Sequence, residues 1–244
     1  GNKAGFSMGG ERCYYCVLGL TEIQKQNTFW LGVVLGFEYL SYKLREYVIP
    51  ITGKDKNGDI CIGTGTLIDE ETILTCAHVL NDMTVDPNVE IQGVQYTIAD
   101  IKSHSCTDVG IIKLKNRPPN IKTRVVFGDT KILEGIMSMG YPPVPFTKDC
   151  YLICQRGEVN SFVKDYCDVN HILYSSITRP GNSGGPIISK CGHIVGICAR
   201  QLENDGSFRE KNIIPFYCGV TSDEIEKAIK ELDPSTELIY ERYE

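Results

Sequence analysis

Between residues 47 and 217 the chain is a succession of short apolar runs separated by turn residues, with almost no helical period between them. Runs at 60–68, 72–75, 109–114, 136–141, 186–188 and 193–199 are typical. Parallel βαβ units would need a helix between successive strands, so this text calls for an all-β, mainly antiparallel fold. About a dozen such strands suit two packed barrels. The first hairpin is marked by Lys54 to Asp59, a charged turn containing Asn57-Gly58. Helical spacing occurs only at the two ends. Phe37, Leu40, Leu44 and Val48 share one face of a short helix that stops before Pro50. After Gly219, Thr221 and Glu224 have capping-box spacing, Ile225, Ala228, Ile229 and Leu232 form a stripe, and Pro234 ends the helix. The expected organisation is an N-terminal extension over 1–45, a barrel domain over 46–220, and a helix with a frayed acidic tail over 221–244, packed on the second barrel.

Composition excludes several functions. The chain has 25 Lys and Arg against 31 Asp and Glu and lacks a basic block, so no nucleic-acid partner is expected. The longest apolar run near the start, Leu31 to Phe37, is short and holds two glycines, so no membrane span is expected. Eleven cysteines, an odd number, cannot all pair within one chain. Cys13 and Cys16 make a CxxC without a matched second pair, so no metal is expected and unpaired thiols are the default.

Chemistry concentrates in three segments. In Arg179-Pro180-Gly181-Asn182-Ser183-Gly184-Gly185-Pro186 a serine stands between glycines just before an apolar strand, a poor packing choice but a good mount for a nucleophile. The amides of Gly181 and Ser183 can converge there on the oxygen of an attacked carbonyl. Upstream, Ile73 to Leu80 puts His78 at the end of an apolar strand, followed by a short loop, and Thr107 to Leu114 puts Asp108 at the mouth of another. A base, a carboxylate to orient it and a nucleophile are what acyl transfer needs. His104, His171 and His193 are read as structural.

Over 47–232 the segments GTGTLI, ILTCAHVL, TDVGIIKL and GNSGGPIIS resemble the chymotrypsin-fold serine proteases, and most closely the HtrA/DegP type. The resemblance implies a double β-barrel with the active site in the cleft between barrels. It casts His78 as general base and then acid, Asp108 as the residue fixing its tautomer, and Ser183 as the nucleophile acting on a protein or peptide substrate without cofactor or metal. Six residues before Ser183, Ile177 would form an apolar pocket floor, and Cys198-Ala199-Arg200-Gln201 would pair with substrate backbone. Glu203 and Asp205, in the next loop, keep a basic preference open. Gly140-Tyr141-Pro142-Pro143 resembles a GxP-type turn of HtrA-like enzymes.

Departures from the family pattern carry information too. Secreted digestive relatives place disulfide cysteines where this chain has Val79 and Arg179, so a reducing, cytoplasmic compartment is expected, with the periplasm or secretion as the alternative. Asn182 stands where activatable enzymes have an aspartate that pairs with a new N-terminus, which excludes that switch. Control is expected from a partner, a ligand or a larger assembly. No PDZ-sized segment follows the final helix, so that adaptor is expected to be absent or removed. Two other functions compete: a catalytically silent binding module on the same fold, and a cysteine-rich domain sensing redox state or metal.

Overall fold

In the computed structural model, which describes residues 36–83, 85–118, 124–199 and 216–242, the strand-rich text folds as two sheets, each curled toward a barrel. The first holds β1 (Val48–Lys54), β2 (Ile60–Leu67), β3 (Thr72–Thr75), β4 (Val85–Ile91), β5 (Val94–Tyr96), β6 (Ile98–Ser103) and β7 (Gly110–Leu114), all antiparallel in the order β5-β4-β1-β2-β3-β7-β6. The second holds β8 (Val126–Gly128), β9 (Gly135–Gly140), β10 (Ile153–Lys164), β11 (Asn170–Tyr174), β12 (Pro186–Ser189), β13 (Ile194–Cys198), β14 (Tyr217–Thr221) and β15 (Ile239–Glu241). Its order is β12-β9-β10-β11-β14-β13-β8-β15, and because β12 also pairs with β13, six of these strands close into a ring. Strand β8 runs parallel to both β13 and β15.

Continuous apolar runs, in strands buried on both faces, explain much of the packing. Ile49, Ile51, Ile73, Ile111 and Ile112 are buried in the first barrel, while Ile136, Val159, Ile172, Ile187 and Val195 fill the second. The first hairpin closes at the expected charged turn. Gly58 donates its N–H to the Asp55 carbonyl (3.0 Å), and Asp55 Oδ1 accepts from the amides of Asn57 (2.8 Å) and Asp59 (2.9 Å).

Helix α1 covers 36–44 and buries Phe37, Leu40 and Leu44 as their spacing requires. Val48 leaves the helical stripe and opens β1 instead. A 3₁₀ turn, Arg45–Tyr47, intervenes, and Pro50 disfavours helical backbone at Ile49 just before it.

The C-terminal segment differs from expectation in two ways. Helix α3 (Ser222–Leu232) packs Ile225, Ala228 and Ile229 inward against β13 and β14, but no capping box forms. Thr221 ends β14, and its hydroxyl donates to the Asn170 carbonyl on neighbouring β11 (3.3 Å), while Glu224 accepts from Asn170 Nδ2 (2.7 Å). Nor is the tail frayed, since it adds β15 to β8. Between α3 and β15 the chain grips the first barrel. Lys113 on β7 reaches Asp233 (2.7 Å), Thr236 (2.7 Å) and Thr72 (2.7 Å), and Lys102 Nζ donates to the Leu232 carbonyl (3.1 Å).

Hydrogen bonds from Lys113, then Ser235 and Thr236, hold the Asp233 carboxyl far below its ordinary value against the opposing pull of burial. A depressed carboxyl stabilises the fold above its unfolded value of about 4, and that contribution fades as the pH falls below it. Asp233→Asn is therefore expected to cost about 2 kcal/mol at neutral pH. In urea titrations the gap from the parent should narrow steadily in acid; a gap independent of pH would show that the charge of Asp233 is not what ties the segment down.

Candidate active site

Strand β3 is buried at every position, and Cys76 follows it in extended backbone as the N-cap of a short helix, α2 (Ala77–Asp82). His78 thus lies in a first helical turn, and a helix follows the strand where a short loop was expected. There its main-chain N–H has no intrahelical acceptor. Asp108, in the bend before β7, supplies one: Oδ1 accepts from the His78 amide (2.9 Å), and Oδ2 lies 2.7 Å from ring Nδ1. One carboxylate therefore fixes both the backbone and the ring of His78. Burial pushes the Asp108 carboxyl up, but hydrogen bonds from the His78 ring and amide and from the Cys76 thiol outweigh it and hold the net value below the ordinary range.

Cys76 is fully buried, and its Sγ donates to the Cys198 carbonyl across the barrel interface (3.1 Å). The Cys76 sulfur, His78 ring and Asp108 carboxylate lie within 4.8 Å of one another, and these are donor types that zinc accepts. Burial pushes the Cys76 thiol well up, which keeps it protonated and opposes metal binding there.

The serine loop is shaped by its glycines. Asn182 N–H donates to the Arg179 carbonyl (3.0 Å) around Pro180 and Gly181, and Gly181 has φ +97°, the conformation that a type II turn demands at its third position. Gly184 has φ +85°, and a Cβ on it would lie 2.2 Å from both the Thr64 carbonyl and Thr75 Oγ1, so only glycine passes between the barrels here. Thr64 N–H binds the Ser183 carbonyl (2.9 Å), and Gly184 N–H binds the Cys198 carbonyl (2.8 Å). The amides of Gly181 and Ser183 donate to nothing among the described residues. Asn182 is buried and uncharged at the position where activatable relatives need an acid.

His78 and Ser183 face one cleft of ≈ 800 Å³ between the barrels. No hydrogen bond joins the Ser183 hydroxyl to the His78 ring here, as is common before substrate closes a site. Thr178, Arg179, Pro180, Gly181 and Ala199 form one wall; Ile60, Ile62, Val79, Asp82 and Met83 form the other.

The substrate-binding expectations need correction. Ile177 is 46% exposed and does not line the cleft, whereas its buried neighbour Thr178 does, with its hydroxyl 2.7 Å from Tyr174 Oη. Cys198 has no backbone group to spare for substrate. Its N–H donates to Gly185 (2.8 Å), and its carbonyl already accepts from Gly184 (2.8 Å) and Cys76 (3.1 Å). Ala199 lines the cleft and uses its N–H on the Cys218 carbonyl (3.0 Å), which leaves its own carbonyl without a donor among the described residues. Arg200, Gln201, Glu203, Asp205, Cys13 and Cys16 lie outside the described residues. Each remaining histidine is tied to a carboxylate: His104 to Glu231 (3.0 Å), His171 to Asp165 (2.9 Å) and His193 to Glu241 (3.0 Å).

Sequence reasoning passed over Thr64 and Cys76. Thr64 stands between two glycines of a strand and Cys76 is two residues before His78; a polar side chain at each of these places is the only linear sign of a role.

Residues 63–197 match the family described as trypsin-like peptidase domain. Among curated proteins the chain is 32% identical over 157 residues to Serine protease HTR4 of Rattus norvegicus, covering 60% of this chain and 31% of the rat protein. It is 26% identical over 157 residues to the Probable periplasmic serine endoprotease DegP-like of Chlamydia muridarum, covering 62% of this chain and 30% of that protein. The chain thus spans about a third of these relatives' length. Among solved structures, the Rv3671c protease from M. tuberculosis in its active form superposes with a TM-score of 0.67 at 16% identity, over 84% of this chain and 88% of that one. The HtrA-type protease AlgW with tripeptide gives a TM-score of 0.63 at 14% identity, over 80% of this chain and 63% of that one. At these identities the likeness is one of fold: a mostly antiparallel, chymotrypsin-like double barrel with a C-terminal helix.

Proposed function

The chain belongs to the trypsin-like peptidase domain family, and on that premise we propose that it is a serine endopeptidase of the HtrA type, using Ser183, His78 and Asp108 on protein substrates. One observation carries this reading: a bonded His78–Asp108 pair faces Ser183 across a cleft in which two neighbouring amides have no acceptor among the described residues. Ser183 Oγ attacks the peptide carbonyl as its proton passes to His78 Nε2. Negative charge forming on the carbonyl oxygen is met by the amides of Gly181 and Ser183. His78 then returns the proton to the departing amine as the C–N bond breaks, leaving an acyl-serine that water hydrolyses by the same steps. Asp108 keeps the proton on Nδ1 and stabilises the imidazolium.

A fluorophosphonate probe tests this directly. It should form a covalent adduct that peptide mapping places on Ser183. Absence of labelling at every pH tested, with denatured casein also left intact, would favour the silent binding module instead.

Regulation in this reading does not use an N-terminal ion pair, because the buried residue beside the nucleophile is the neutral Asn182; a partner or ligand that orders the cleft takes its place. The reducing compartment expected from Val79 and Arg179 would suit the eight free cysteines among the described residues, four of them exposed. Against it stand the disulfide at Cys191 and the periplasmic name of one relative. Among the described residues, no helix is long and apolar enough to cross a membrane.

A further inference from the structure

Ser183 and Gly181 belong to the second barrel, whereas His78 and Asp108 belong to the first, so the reacting groups come together only as well as the two barrels are held in register. Thr64, on β2 of the first barrel and fully buried, touches the nucleophile loop twice. Its hydroxyl donates to the Gly181 carbonyl at 2.6 Å, and its main-chain N–H donates to the Ser183 carbonyl at 2.9 Å. The same hydroxyl accepts the Tyr141 N–H at 2.9 Å, and the Thr64 carbonyl accepts the hydroxyl of Thr75, three residues before His78, at 2.8 Å.

These contacts take up four main-chain groups of the loop, while the buried Oδ1 of Asn182 has no partner among the described residues. The Gly181 and Ser183 carbonyls are taken by Thr64, the Asn182 N–H by Arg179 and the Gly184 N–H by Cys198. Among the described residues, the amides of Gly181 and Ser183, which line the cleft, donate to nothing.

We propose that the Thr64 hydroxyl is a positioning residue for the oxyanion site, holding the Gly181 end of the nucleophile turn in register with the barrel that carries His78. This rests on the protease reading above. Thr64 touches no substrate. It acts through the Gly181 amide, so its loss weakens the transition state more than the ground state. A valine keeps the shape but strands two buried partners, the Gly181 carbonyl and the Tyr141 N–H, whereas a serine keeps the hydroxyl.

The test compares Thr64→Val and Thr64→Ser with the parent on the best-cleaved peptide of a mixed library, and titrates each with a peptide boronate and with a non-covalent product peptide. Thr64→Val should lower kcat at least tenfold, a fraction of what losing a whole oxyanion donor costs, with KM within about twofold. Boronate affinity should fall by the same factor as kcat, product-peptide affinity should hold, and Thr64→Ser should restore both. If valine lowers the melting point below the assay temperature, Thr64→Ala, which admits water to the stranded groups, carries the same comparison. A kcat within twofold of the parent overturns the role, as does equal weakening of boronate and product peptide, or a folded serine variant that fails to rescue. A parent protein that neither cleaves any library member nor takes a fluorophosphonate overturns the protease reading itself, and the role of Thr64 with it.

Discussion

Replacing Ser183 with alanine will lower peptide turnover by about six orders of magnitude, the scale seen when a triad nucleophile is removed. The fold should not notice. Among the described residues no hydrogen bond uses the Ser183 hydroxyl, while the bonds that shape the loop, Thr64 to the Ser183 carbonyl and Gly184 to the Cys198 carbonyl, are main-chain contacts that the variant keeps. The melting temperature should stay within a degree or two, since a half-exposed serine contributes at most about 0.5 kcal/mol. Turnover reduced by less than tenfold would point to another nucleophile in the cleft. The nearest chemical candidate is Cys61, on the wall opposite Gly181. Burial first, and then the carboxylates of Asp55, Asp82 and Asp59, push its thiol up, which makes it a poor one at neutral pH.

Asp108→Asn is expected to cost about four orders of magnitude in kcat. The carboxylate accepts from the His78 amide through one oxygen and lies against the ring through the other. An amide offers only one acceptor. If its oxygen stays with the His78 main chain, its NH₂ faces Nδ1, so the ring must accept there and carry its proton on Nε2, where it cannot take one from Ser183. The sign of the pH effect follows from the lowered carboxyl. Asp108 stays charged throughout the neutral range, and any stability it contributes is lost only on acidification below the ordinary carboxylate value near 4. Steady-state kinetics from pH 6 to 9 should therefore show a loss that does not recover as the solution becomes milder. A loss below tenfold would mean that another carboxylate serves His78.

Barrel strands were legible because short apolar runs are broken by residues that turn, as at Asp55 to Asp59. His78, Asp108 and Ser183 stood out because each breaks the local packing grammar. Thr64 did not, since a threonine in a strand is unremarkable until the chain 117 residues on is brought against it. Nor did Cys76, since only the fold puts a carboxylate and a carbonyl beside its thiol. Ile177 was located by counting back from Ser183, but counting along a loop does not say which way each side chain turns, and exposure at 177 with burial at 178 is the outcome. No capping bond forms at Thr221, which closes β14 and whose hydroxyl lies against the Asp223 carboxylate and the Asn170 carbonyl.

The tail gripped by Lys113 has a thermodynamic consequence. Helix α3 lies on the second barrel, the Asp233–Thr236 stretch is anchored to the first, and β15 returns to the second, so the last residues stitch across the seam on which the active site is built. Among the described residues, neither barrel can move from the other without tearing these stitches, which couples the two halves. Whatever loosens the C-terminal segment changes the spacing of the reacting groups from a distance, without touching any of them.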